Sequence, residues 1–149
     1  MPGTTEPWLR GTLTEVDAVR RGVLHSLELA AEDVEKWCAP LADEEVEIRP
    51  LGLGSVGFQL RHIARSLDRL LTYAEGGVLS RKQVSELRSE MESSGSREEL
   101  FREIETALRH SADRVGALRG KNLEEARPVG KLKLPSTTGG LLMLRRFPS

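Results

Sequence analysis

The chain has 149 residues, which suggests a single domain with room for a real core. Apolar residues make up 38% and charged residues 30%, and 22 basic residues almost cancel 23 acidic ones, for a net charge of -1. That balance sets up no field for nucleic acid or an anionic membrane, no apolar run approaches the ~20 residues that span a bilayer, and Met1 to Trp8 lacks a charged-then-apolar leader, so a cytoplasmic protein is expected.

The first predicted element is a helix over 13–39. Val16, Val19, Val23, Leu27, Ala30, Val34 and Trp37 recur in steps of three and four and share one face. Thr14 and Asp17 offer a cap, and Pro40 ends the run because it cannot donate the next hydrogen bond. Arg20, Arg21, Glu28, Glu32 and Glu35 fall on the outer face and read as solvated. His25 lies roughly opposite Val23 by the ~100° step per residue, so it is expected at the surface. Cys38, the single cysteine, has no second thiol for a disulfide or a zinc ribbon; a small buried core residue is the favoured reading over a reactive thiol.

Residues 41–54 contain Pro50, Gly52 and Gly54 and predict a long connection whose Leu41, Val46, Ile48 and Leu51 pack over the end of the helices. Ser55 caps a second helix over 55–75, with Val56, Leu60, Ile63, Leu67 and Leu70 as its stripe and Gly76-Gly77 as its stop. A shorter helix follows over 80–92, with Val84, Leu87 and Met91 on one face. Ser96-Arg97-Glu98-Glu99 spells a capping box and opens a helix over 97–119, with Leu100, Ile104, Leu108, Ser111, Val115 and Leu118 as its stripe. A polar, basic connection with Pro128 and Pro135 leads to a short helix over 137–146 carrying Leu141, Leu142 and Leu144. The class is therefore all-α: three full-length helices, one short helix and a stub in one domain over 1–149. Bundles of this kind close with four helices of similar length, so the stub predicts an apolar groove, most simply covered by a second copy of the chain as a homodimer.

Chemistry-bearing motifs are sparse. The string from Gly52 to Gly57 has Gly-x-Gly-x-x-Gly spacing but follows no strand, so it reads as loop plus N-cap. Glu44, Glu45 and Glu47 read as loop surface, and Arg61, Arg65 and Arg69, in steps of four, read as a solvated helix face. No His-x-x-x-His pair exists among His25, His62 and His110. His110 borders its helix's apolar stripe and is expected at the surface or boundary. His62 lies beside Ile63 and one turn after Phe58, at the edge of the apolar face, where a side chain points into a cleft between helices. It is the best candidate ligand of the three.

The stretch from Gly54 to Tyr73, with Leu60-Arg61-His62-Ile63-Ala64 at its centre, resembles the second helix of DinB/YfiT-like proteins. Glu6 to Thr12, Pro128 to Lys131 and Leu134 to Thr138 also resemble that family, so the likeness runs from about residue 6 to about residue 142. The resemblance implies an up-down-down-up four-helix bundle with a very short fourth helix. It implies that His62 occupies a ligand position for a divalent metal of the zinc or nickel type, in an enzyme that transfers or hydrolyses adducts of a small-molecule thiol. The family's other ligands come from a His-x-x-x-His on the last helix, and here no histidine follows Leu142. The tail Arg145-Arg146-Phe147-Pro148-Ser149 fits either a shifted or truncated frame or a native end. The expectation is a DinB-like protein lacking most of its metal ligands, with metal absent or weakly held. The alternative is a non-catalytic helical protein that dimerises or binds a partner, with no nucleic acid and no membrane involved.

Overall fold

The computed structural model describes residues 5–90 and 95–143. It is all-helical; among the described residues there are no strands, only two isolated antiparallel bridges, Ala126 with Thr137 and Val129 with Leu134. The α-helices are α1 (Ala18–Asp33), α2 (Asp43–Glu47), α3 (Val56–Ala74), α4 (Arg81–Ser89), α5 (Arg97–Ala117) and α6 (Thr138–Leu142). None of them is long and apolar enough to cross a membrane. Met91 and the end of the helix expected to 92 lie outside the described residues, as do Leu144 and the tail through Ser149.

The first helix starts later than its apolar period suggests. Leu13 takes a left-handed φ of 58°, which an α-helix cannot include, and Asp17 becomes the cap by accepting from the Arg20 N–H at 3.3 Å. At its other end α1 widens into a π-turn over Val34–Cys38, closed by the Ala39 N–H on the Val34 carbonyl at 2.9 Å. The caps of α3, α4 and α5 are Ser55, Ser80 and Ser96, and the last two complete capping boxes with Gln83 and Glu99.

The core is a single cluster. Leu60, Ala64, Leu71 and Ala74 of α3 meet Leu100, Ile104, Leu108 and Val115 of α5, with Val23 and Leu27 of α1 and Leu141 and Leu142 of α6 completing it. Ties at the helix ends fix the directions. Arg20, at the start of α1, donates to the Leu118 carbonyl at the end of α5, and Arg97, at the start of α5, donates to the Ala39 and Leu41 carbonyls past α1, so these helices are antiparallel. Gly57 near the start of α3 lies against Leu100 near the start of α5, and Glu75 past the end of α3 pairs with Arg114 near the end of α5, so these two are parallel. Gly57 allows that approach: a Cβ there would stand 3.2 Å from Val46 and 3.3 Å from Leu100.

Several expected surfaces are reassigned. Arg20 is buried rather than solvated, because its guanidinium satisfies the last turn of α5 and pairs with Asp17. The connection over 41–54 contains α2, which buries Val46, but Ile48 is exposed and Leu51 is 100% exposed, so the connection is not packed down along its length. Glu44, Glu45 and Glu47 sit on α2 rather than in a loop. Leu87 of α4 is largely exposed, and α4 buries no apolar residue within Arg81–Ser89. The polar connection after α5 folds back through its two bridges, and Arg127 and Thr138 both donate to the Ala74 carbonyl at the end of α3, at 2.9 and 3.4 Å.

Ile104 is among the most deeply buried side chains, 1% exposed at the α3–α5 contact. Truncation to alanine (I104A) is expected to cost about 2–5 kcal/mol in urea unfolding, as for other buried aliphatic deletions. A loss under about 1 kcal/mol would mean that this contact is not the core.

Candidate functional site

Parallel α3 and α5 require the chain between them to travel back along α3, and α4 does so. Gln83 meets the C-terminal half of α3, donating to Asp68 and Thr72 at 2.8 Å each. One turn on, the Glu86 carbonyl accepts from Arg65 Nη1 at 3.2 Å. Glu90, the C-cap of α4, then reaches His62 in the N-terminal half of α3 while also holding Arg69, two turns further along that helix. The return helix is held by polar contacts in place of an apolar stripe.

His62 lies within this clasp. Its Nδ1 is 3.0 Å from Glu90 Oε2, and because a carboxylate only accepts, Nδ1 carries the proton. Glu90 Oε1 takes a 2.5 Å bond from Arg69 Nη1. Glu90 is 5% exposed, so its charge depends on these two donors. Phe58, one turn before His62, stacks on the imidazole with ring centroids 5.8 Å apart and planes 24° apart. The row of Arg61, Arg65 and Arg69 is therefore no solvated face: Arg61 is buried, Arg65 pairs with Glu103 at 3.0 Å, and Arg69 pairs with Glu90.

The other two histidines go elsewhere. His25, expected at the surface, is 3% exposed. A 3₁₀ turn at Pro7–Leu9 packs on α1, and Arg10 forks onto Glu32 at 2.7 and 3.0 Å; Glu32 lies two turns from His25 on the same face. A helical wheel contains no such covering segment. His110 is exposed and lines a polar groove of about 680 Å³ between α3, α4 and α5. The wall charges are largely paired across it: Arg65 with Glu103, and Arg114 with Asp68 at 2.7 Å and Glu75 at 2.5 Å. The Glu75 hydrogen bond, with Asp68 behind it, raises the Arg114 guanidinium above its ordinary value although burial pulls the other way.

No group of three or more His, Cys, Asp or Glu side chains converges as a metal ligand set among the described residues. The residues at His62 do not fit a metal: they supply one imidazole and one carboxylate, and a guanidinium already neutralises the carboxylate. Cys38, the last residue of the π-turn that follows α1, is only partly buried. Burial, aided by Asp33, pushes its thiol above the usual range.

Comparison with protein-family models, with curated proteins and with solved structures returned no match. Sequence reasoning overlooked Glu90 and read Arg69 as part of a solvated face; only the return of α4 along α3 brings the two together.

Two outcomes follow. Replacing Glu90 by alanine leaves Arg69 and His62 without their acceptor and is expected to cost about 1.5–3 kcal/mol. Amide exchange over 81–89 should accelerate more than exchange in α5; uniform acceleration would show that α4 is not a separately held element. Cys38, with its raised thiol, should react with a disulfide reagent more slowly than a free cysteine near pH 7.5, with the rate still rising above the ordinary thiol range. A rate equal to free cysteine contradicts that assignment.

Proposed function

We propose that this chain is a DinB-like helical bundle acting as a non-catalytic interaction protein, in which the family's metal-ligand position has become part of a structural clasp. The observation that carries the reading is the engagement of His62 with Glu90, whose second oxygen is held by Arg69. The helix directions support the DinB-like order, since α1 runs against the parallel pair α3 and α5, and α6 begins beside the end of α3. The resemblance of the Gly54–Tyr73 stretch supports the same family.

A second reading, a divalent-metal enzyme acting on thiol adducts, has one observation in its favour. A carboxylate on Nδ1 is the arrangement that orients a metal-ligating imidazole through its other nitrogen. Elemental analysis of the purified chain and of its His62→Ala variant separates the two. The interaction reading expects sub-stoichiometric zinc and nickel in both proteins, unchanged by the substitution. Stoichiometric metal that disappears in H62A overturns it and installs the enzyme reading.

A further inference from the structure

We propose that the end of the bundle where α3 and α5 finish docks on an anionic lipid surface. Leu132, at the tip of a hairpin there, enters the headgroup boundary while the lysines beside it meet the lipid anions. The inference goes beyond the interaction reading by giving the contact a chemistry, and its residues stand apart from the His62 cluster.

The hairpin lies in the connection between α5 and α6. Val129 and Leu134 exchange two backbone hydrogen bonds of 2.9 Å each, and the Arg127 N–H donates to the Ser136 carbonyl at 2.8 Å. Its tip, 130–133, is closed by the Lys133 N–H on the Gly130 carbonyl at 3.1 Å, with left-handed φ at Gly130 (73°) and Lys133 (48°). Leu132 is 84% exposed at this tip, between exposed Lys131 and Lys133. The turn is already closed by its own bonds, so seating Leu132 on a surface orders little further backbone.

Charge is what selects the occupant. Arg127 and Thr138 fix the base of the hairpin to the Ala74 carbonyl at the end of α3. The Arg114–Glu75 pair brings the end of α5 to the same level, with exposed Arg119 and Lys121 just beyond it, and exposed Arg81 opens α4 nearby. These three and the two hairpin lysines have no ion-pair partner among the described residues. Acids here do not cancel them. Glu75 is held by Arg114, Glu125 faces Arg127 at 3.8 Å, and Asp113 lines the side groove, which leaves Glu15 and Glu124. The opposite end carries exposed Asp43, Glu44, Glu45 and Glu47 on α2 with Glu98 and Glu99 on α5, against exposed Lys36 and Arg49. The net charge of -1 therefore averages two unlike ends, and an anionic surface turns the basic one toward itself. Val78, just past α3, is also 84% exposed. Leucine and valine gain nothing from a phosphate backbone, and this patch has no aromatic ring for a base to stack on. A bilayer boundary takes both parts, apolar tips below and ammonium groups at the headgroups.

Co-sedimentation with phosphatidylcholine vesicles, with and without phosphatidylserine, tests the proposal. The unaltered chain should pellet only with the phosphatidylserine vesicles and should be released as salt rises. K131E/K133E should lower its partitioning at least about ten-fold with the same helical melt. L132S, which changes no charge, should lower it several-fold, because the tip no longer enters the boundary. R119E/K121E lies on another element and should also weaken binding, so it decides if the hairpin variant melts early. No binding to either vesicle overturns the proposal, and so does binding that ignores phosphatidylserine. L132S or R119E/K121E binding like the unaltered chain overturns it too. Capture of a DNA duplex without vesicle binding assigns this end to nucleic acid and overturns the lipid surface. None of these outcomes bears on metal content, so failure here and failure of the clasp reading are told apart.

Discussion

The parallel arrangement of α3 and α5 is the constraint on which the rest depends. Two adjacent parallel helices cannot be joined by a tight turn, so a length of chain must return along one of them. That return is α4, and the side of α3 left free for it is the polar one, because the apolar side already faces α5. An element laid on a polar edge has to be held by hydrogen bonds and ion pairs. Gln83, the Glu86 carbonyl and Glu90 supply them in turn from α4, and Asp68, Thr72, Arg65, Arg69 and His62 answer from α3. The state of His62 follows from topology: it is one of the groups that fasten the crossover.

Arginine does comparable work at the helix ends. Arg20, Arg97 and Arg127 each donate to backbone carbonyls at or beyond the end of another helix. A helix end leaves carbonyls without intrahelical donors, and a guanidinium reaches them while packing its stem on apolar surface. Arg97 adds a cation–π contact, its guanidinium carbon lying 4.7 Å from the Phe101 ring centroid. These ties set the relative heights of the helices.

The sequence was legible wherever local rules decide. Ser55, Ser96 and Glu99 are caps because short side-chain oxygens reach the first free N–H groups, and that depends on neighbours only. The stripe Leu100, Ile104, Leu108, Val115 and Leu118 is buried because its period is that of the helix it lies on. Local rules failed where a distant segment intervenes. His25 reads as surface on the helical wheel but is 3% exposed in the folded chain, and Arg20 reads as surface until the end of α5 arrives beside it. Val16 shows the opposite failure, since the apolar period includes it although the helix begins only at Ala18.

By itself, the sequence determined an all-helical chain, the serine caps of α3 and α5 and the apolar faces of those two helices, whereas on α1 only Val23 and Leu27 of the expected stripe are buried and Trp37 is 65% exposed. Those properties arise from period and from side chains acting on their own backbone. Only the tertiary structure decided what His62 is next to. An imidazole at the edge of an apolar stripe is compatible with solvent, a ligand or a salt bridge, and the choice depends on a carboxylate twenty-eight residues away. Glu90 reaches it only because α3 and α5 are parallel and α4 must run back between them.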